Sequence, residues 1–202
     1  RLIYLKVLNQ FDKLIGVSEM VSESLKNTFP ILKNKIITIP NGLDLSKFDL
    51  QETKEELRKK FNLPFNKVLA IYVARFTQPK NHIFLIDVVK EIDDLRIILI
   101  GEGETKEKFL ENMNKEKLND RFLCLGYVKN ELVPYYLKAS DFCIFPSKGE
   151  GFSNAILEAM GSGLPVIIFK DIYSQEYGEN ILVVNDEKEF IEYTKKLVED
   201  EK

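Results

Sequence analysis

Metal ligands are scarce. The 202-residue sequence has one histidine, His82, and two cysteines, Cys124 and Cys143, with no Cys-x-x-Cys pair. That leaves no ligand set for a structural zinc. Both cysteines fall in apolar runs and read as buried free thiols, which fits a reducing compartment rather than a disulfide-stapled secreted domain. No apolar run approaches the roughly 20 residues that span a bilayer. The opening Arg1-Leu2-Ile3-Tyr4 has neither a Met nor a small-residue cleavage pattern. The expected location is therefore cytoplasmic. A basic excess is also missing: 29 Lys and Arg face 32 Asp and Glu, for a net charge of −3, which argues against non-specific nucleic-acid binding. Only five of the basic residues are Arg. Each deserves inspection, because an ammonium does not replace a planar five-donor guanidinium.

What is present is ordinary for a globular protein, 45% hydrophobic and 30% charged, with enough chain for one sizeable core. Apolar runs at 13–17, 35–39, 67–74, 95–100, 122–125, 142–145, 165–169 and 181–184 predict strands. Several are continuous rather than alternating, as in Val68-Leu69-Ala70-Ile71-Tyr72-Val73-Ala74, which suits strands buried on both faces of a parallel sheet. Helical patterns lie between them at 19–29, 53–61, 82–92, 105–117, 131–139, 154–161 and 188–199. Ser18 and Asn130 are placed to cap two of these helices. The highly charged 53–61 helix reads as solvated. Repeated strand–helix alternation predicts an α/β fold with a Rossmann-like, doubly wound parallel sheet. The turn-rich Ile39-Pro40-Asn41-Gly42-Leu43-Asp44 marks a boundary. Residues 1–40 are expected to be the tail of a preceding domain and its linker, and residues 41–202 a Rossmann-like domain.

In an open α/β sheet, ligands bind beyond the carboxyl ends of the strands, so the residues following each strand matter most. After the run at 67–74 stand Arg75 and Lys80; after 95–100, Gly101 and Gly103; after 122–125, Gly126, Tyr127 and Val128; after 142–145, Glu150, Gly151, Phe152, Ser153 and Asn154. Gly101-x-Gly103 is not a dinucleotide fingerprint, because Lys106 holds its third position, and the phosphate loop G-x-x-x-x-G-K-[ST] is absent. Arg75 and Lys80 are spaced for a diphosphate clamp, the charge a departing diphosphate needs in place of a metal. A helix opening near Phe152 would present free N–H groups to phosphate. Glu158, about 7 Å further along the axis at ~1.5 Å per residue, would reach a ribose, and Glu150 would stand at the mouth beside the transferred group.

Taken in order, Ile39-Pro40-Asn41-Gly42-Leu43-Asp44, Arg75-x4-Lys80-Asn81, Gly101-Glu102-Gly103, Leu125-Gly126-Tyr127-Val128 and Glu150-x7-Glu158, running on into Ala159-Met160-Gly161-x-Gly163-x-Pro165-Val166 and a late Gly178-Glu179-Asn180, form a pattern. It resembles the C-terminal, nucleotide-sugar-binding half of GT-B retaining glycosyltransferases of family four, the glycosyl transferases group 1. The resemblance implies that Arg75 and Lys80 bind the donor diphosphate without a metal or other cofactor. It implies that Gly126, Tyr127 and Val128 lie against the base, and that Gly101 and Gly103 line the donor site. Glu150 would contact sugar hydroxyls, Gly151, Phe152, Ser153 and Asn154 would offer backbone N–H groups, and Glu158 would hold the ribose. Arg75, Lys80 and Glu150 are thus the catalytic candidates. The expected donor is a UDP-sugar. The acceptor, a saccharide or lipid-linked glycan in polysaccharide, lipopolysaccharide or capsule synthesis, would be bound by an N-terminal domain that also supplies the family's catalytic His. Any contact with the inner face of a membrane would come through that domain. His82 is not the family's His and reads as structural or surface. Ala74 stands where a Gly often precedes the Arg. The alternatives are a GT-B nucleotide-sugar 2-epimerase, against which Arg75-x4-Lys80 with Glu150 argues, and a non-enzymatic flavodoxin- or receiver-like module. A receiver needs clustered acids after its first strand, where Arg75 stands.

Overall fold

The computed structural model describes residues 2–200; residue 1 and residues 201–202, the ends of the two expected domain ranges, lie outside them. All eight predicted strands form. β1 (Leu14–Gly16) and β2 (Ile36–Thr38) make a two-stranded parallel sheet, joined through α2 (Glu19–Thr28). Ser18 caps α2 as expected, its hydroxyl accepting from the Val21 N–H at 3.2 Å. A short helix, α1 (Leu2–Leu8), precedes them; no periodicity in the sequence announced it.

The other six strands are β3 (Val68–Val73), β4 (Leu95–Ile100), β5 (Phe122–Gly126), β6 (Phe142–Phe145), β7 (Val166–Phe169) and β8 (Leu182–Val184). They form one all-parallel sheet in the order β5-β4-β3-β6-β7-β8. This is the 3-2-1-4-5-6 order of a doubly wound nucleotide-binding sheet. The strand connections carry α4 (Phe84–Lys90), α5 (Lys106–Lys115), α6 (Val133–Ala139) and α7 (Asn154–Gly161), and α8 (Glu187–Asp200) follows β8. The central strands β3, β4, β6 and β7 are buried along almost their whole length, which is why their sequences are unbroken apolar runs. Cys143 is buried in β6 and Cys124 half-buried in β5, both as free thiols.

Three expectations need correction. Asn130 does not cap α6: residues Asn130–Leu132 form a 3-10 turn, and α6 starts at Val133 with Pro134 in its first turn. Proline's fixed φ and missing N–H suit it to that turn alone, so it sets the helix start. The 53–61 helix, α3 (Lys54–Lys60), is not simply solvated. It buries Leu57 and Arg58, and the Arg58 guanidinium reaches Asp141 at 2.6 Å. The helix expected over 82–92 is shorter: α4 starts at Phe84, and Ile83 before it is exposed.

His82 proves structural. It is 3% exposed and stacks on Phe76 with ring centroids 3.8 Å apart, beside Tyr72 at 4.8 Å. Neither ring nitrogen finds a hydrogen-bond partner. Burial, helped by the Lys80 charge, pushes its pKa down to about 4. The unfolded chain therefore takes up this proton first as the pH falls through 6.5. Its contribution to stability is complete above that value and drains away down to about pH 4. His82→Phe keeps the ring stack and removes the titration. Urea unfolding should show wild type losing ~2 kcal/mol more than the variant between pH 7.5 and pH 5. Equal losses would show that His82 titrates alike folded and unfolded.

Candidate functional site

The strand order decides where a site forms. The chain runs outward from β3 through β4 to β5, then returns to β6 on the other side of β3. At such a reversal the flanking loops diverge and leave a crevice at the carboxyl ends of β3 and β6. Two of the predicted residues meet there. Lys80, in the turn Gln78–Lys80 after β3, forms an ion pair with Glu150 from the loop after β6, both side chains being mostly buried. The Lys80 Nζ also sits 5.8 Å from the centre of the Phe145 ring at the end of β6. The two loops are laced together: the Lys148 N–H donates to the Pro79 carbonyl at 2.7 Å. Arg75, directly beyond β3, is exposed, and among the described residues its guanidinium has no acidic partner. A cation with no internal partner at a crevice mouth is available to an anion.

In the segment from Glu150 to Glu158, α7 spans Asn154–Gly161, the range its 154–161 pattern predicts, so its opening falls two residues beyond Phe152, and Ser153 precedes it without a side-chain cap. The Ser153 N–H, expected to be free for a ligand, donates to the Tyr177 hydroxyl at 2.6 Å, while the Phe152 ring stacks on Tyr177 at 4.6 Å. Burial, reinforced by the charges of Glu150 and Glu176, pushes the Tyr177 hydroxyl up to about 12 against the lowering effect of the Ser153 bond. It is a neutral phenol serving the backbone. The Gly151 carbonyl accepts from Ser18 Oγ at 3.0 Å, so the N-terminal unit braces the same loop. Glu176 adds a second brace by accepting the Glu19 N–H at 2.6 Å.

Asn154 and Glu158 lie one turn apart on α7 and face the same way. Together with Leu43, Lys47, Asn130 and Tyr135 they line a cavity of about 560 Å³. Burial raises the Glu158 carboxyl above its ordinary value, and Lys47 offsets part of that rise. The Asn154 side chain also accepts from Asn41 Nδ2 at 2.9 Å, which anchors the Pro40-Asn41-Gly42 turn to the helix start. Lys80 and Glu150 thus stand at one end of a single nine-residue segment and Glu158 at the other. No side-chain contact joins Glu158 to Arg75 or Lys80 among the described residues.

Gly101 and Gly103 have an internal reason to be glycine. Both have positive φ, +145° and +155°, and a Cβ there would stand 2.0 Å from the Ala74 carbonyl oxygen and 2.3 Å from that of Phe76. They let the loop after β4 lie against the loop that carries Arg75. Gly126 accepts the Gly101 N–H through its carbonyl at 2.8 Å, Tyr127 beyond it is 75% exposed, and Val128 packs partly against the core. Among the described residues, no group of three or more His, Cys, Asp or Glu is placed to hold a metal ion, and no helix is long and apolar enough to cross a membrane.

The family model for glycosyl transferases group 1 matches residues 67–200. The chain belongs to this family. A galactosyltransferase of Escherichia coli, the UDP-Gal:alpha-D-GlcNAc-diphosphoundecaprenol alpha-1,3-galactosyltransferase, is 33% identical over 187 residues, covering 89% of this chain and 44% of that protein. The chain thus spans less than half of this relative. Among solved structures, Anabaena HepE in complex with UDP superposes with a TM-score of 0.84 at 20% identity, covering 99% of this chain and 58% of the other. The C-terminal domain of the Francisella tularensis group 1 protein LpcC gives 0.68 at 20% identity, covering 79% of this chain and 89% of that domain. The architecture is that of GT-B glycosyltransferases.

Within this group 1 chain, sequence reasoning missed Tyr177, Lys47 and the pair Tyr72 and Ser147. Tyr72 carried a usable signal: a tyrosine inside a continuous buried strand must place its hydroxyl against a partner. Lys47 and Tyr177 carried none, since their roles depend on contacts far along the chain.

Proposed function

We propose that this chain is the donor-binding half of a retaining glycosyltransferase that takes its sugar from a UDP-sugar. The observation that carries the reading is the meeting of Lys80 with Glu150 at the β3–β6 reversal, with Glu158 lining a cavity one helix turn beyond Asn154. In this reading Arg75 and Lys80 take the diphosphate, and their fixed charges rather than a cofactor stabilise it as the glycosidic bond to the anomeric carbon breaks. Glu150 exchanges Lys80 for hydroxyls of the donor sugar. A carboxylate engaged in that way orients the sugar and need not form a covalent intermediate, so the acceptor oxygen attacks on the face the diphosphate leaves. Glu158 accepts hydrogen bonds from the ribose, and Tyr127 and Val128 border the base. The N–H groups of the Gly151–Asn154 turn remain a ligand surface except for that of Ser153, which Tyr177 uses.

Residues 1–40 read as the edge of an acceptor-binding domain. A two-stranded sheet is too small to be stable alone, and β1 and β2 leave Ile15 and Ile37 exposed. The E. coli relative acts on a diphosphoundecaprenol-linked sugar, which supports a lipid-linked glycan acceptor and work at the cytoplasmic face of a membrane.

The test is titration of the chain with UDP, ADP and GDP, followed by melting temperature and calorimetry. UDP should stabilise wild type, and Arg75→Ala and Glu158→Ala should each reduce the effect while leaving binding measurable. No response to any of the three at millimolar concentration overturns the reading. Glu158 also predicts a pH dependence. Burial raises its carboxyl above the ordinary value, and only the ionised form is a full acceptor for two ribose hydroxyls. The affinity ratio of wild type to Glu158→Gln should therefore shrink as the pH falls from 7 to 5. A constant ratio would place Glu158 away from the ribose. Retention itself is checked on product from the full-length protein, by the anomeric coupling constant of the new linkage.

A further inference from the structure

The tyrosine near the end of β3 stands where the two site loops are joined. Tyr72 is fully buried, and its hydroxyl oxygen lies 2.8 Å from the Lys80 carbonyl oxygen and 2.6 Å from Ser147 Oγ. Ser147, also fully buried, is three residues before Glu150. A carbonyl can only accept, and a phenol has one proton, so the direction of both bonds is fixed. Tyr72 donates to Lys80, and the Ser147 hydroxyl donates to Tyr72. Burial holds the phenol protonated by raising its pKa well above the ordinary value. The relay runs from the loop after β6, through a side chain of β3, to the peptide that follows Lys80.

That peptide leads into Asn81, a non-glycine residue with φ of +52°. Left-handed backbone at a non-glycine position persists where neighbours hold it, and the Tyr72 hydroxyl holds the carbonyl on its amino side. Rotation of this peptide would re-aim the Lys80 Cα–Cβ bond and separate the ammonium from Glu150.

We infer that Tyr72 and Ser147 are positioning residues that act through Lys80, setting its ammonium at the point where the β3 and β6 loops meet. The inference rests on the donor-site reading for its effect on ligands, but not for its effect on the Lys80–Glu150 pair. The two loops keep a link without the relay, since the Lys148 N–H still donates to the Pro79 carbonyl.

The experiment is a set of double-mutant cycles. With UDP as the probe, Tyr72→Phe should weaken binding about 5- to 20-fold, and Ser147→Ala by a smaller factor in the same direction. In a Lys80→Met background Tyr72→Phe should cost less than about 2-fold, whereas in an Arg75→Ala background it should cost its full factor. A merely structural tyrosine would give the same factor in all three backgrounds, and that result would overturn the inference. The second cycle uses no ligand. Urea midpoints of Lys80→Met, Glu150→Gln and the double variant should reveal a coupling between the two side chains that vanishes in Tyr72→Phe. Coupling that survives unchanged would also overturn the inference. If wild type binds no nucleoside diphosphate, the donor reading falls by itself and the ligand-free cycle decides the matter.

Discussion

Lys80→Met should weaken binding of UDP by two to three orders of magnitude while lowering the melting temperature by only a few degrees. The size follows from two losses that add. A charge-assisted contact to phosphate disappears, worth ~1.5–3 kcal/mol. Glu150 is then left mostly buried with no cation, and an uncompensated carboxylate at the mouth of the site repels the incoming diphosphate. Truncating one member of a desolvated charge pair at a binding site costs ~2–5 kcal/mol, much of it from the stranded partner. The stranded-partner argument carries a sign that separates it from simple loss of a cation. Glu150→Gln in the Lys80→Met background should restore part of the UDP affinity, and Glu150→Gln alone should tighten UDP, because Lys80 no longer has a competing internal partner. The same variant should bind UDP-sugar no better than UDP, since the sugar-facing carboxylate is gone. Calorimetric titration of the four proteins with UDP and a UDP-sugar measures all of this. Loss of affinity on Glu150→Gln alone, with no recovery in the double variant, would mean that Glu150 helps to hold the diphosphate rather than competing for Lys80.

Much of the fold was legible because burial on both faces writes itself into sequence directly. Strands such as Val68–Val73 and Leu95–Ile100 have no polar face to show, so apolar runs of that length can only be interior. Positions at their carboxyl ends were then the natural places to look, and Lys80 and Glu150 do meet there, 70 residues apart. What escaped was non-local. Arg58 looks like any charged residue on a charged helix, and only Asp141, 83 residues later, makes it interior. The Ser153 N–H looks free until Tyr177 arrives 24 residues on. Asn130 has the chemistry of a cap, yet Pro134 sets the helix start. Gly101 and Gly103 were read as ligand-facing, while the contact that requires them is the backbone at Ala74 and Phe76. Their glycine identity thus has a sufficient internal cause in the loop that carries Arg75.

Asp141→Ala should be strongly destabilising, and it should be so without touching the site. Asp141 precedes β6, is 7% exposed, and accepts from the Arg58 guanidinium at 2.6 Å, the Lys54 ammonium at 2.8 Å and the Leu69 N–H at 2.7 Å. Burial alone would raise its carboxyl, but Lys54, the Leu69 N–H and Arg58 together outweigh burial and hold it below the ordinary value. Removing it strands a buried guanidinium that keeps, among the described residues, the Ala139 and Lys67 carbonyls, and takes the side-chain acceptor from the Leu69 N–H at the start of β3. Breaking a buried pair from one side costs ~3–5 kcal/mol, or roughly 6–20 °C of melting temperature for a chain of this size. Arg58→Met should cost less, because Asp141 retains Lys54 and the Leu69 N–H and a methionine tolerates the apolar surroundings. The bonds lie at the amino ends of β3 and β6, whereas Lys80 and Glu150 lie beyond their carboxyl ends, about 13 Å or more away at ~3.3 Å per residue over the four residues of β6. UDP affinity measured well below the lowered melting temperature should therefore stay within about 3-fold of wild type, a margin set by independent distant sites. A parallel collapse of affinity and stability would show instead that the pairing of β3 with β6, rather than the loops beyond them, fixes the geometry of the site.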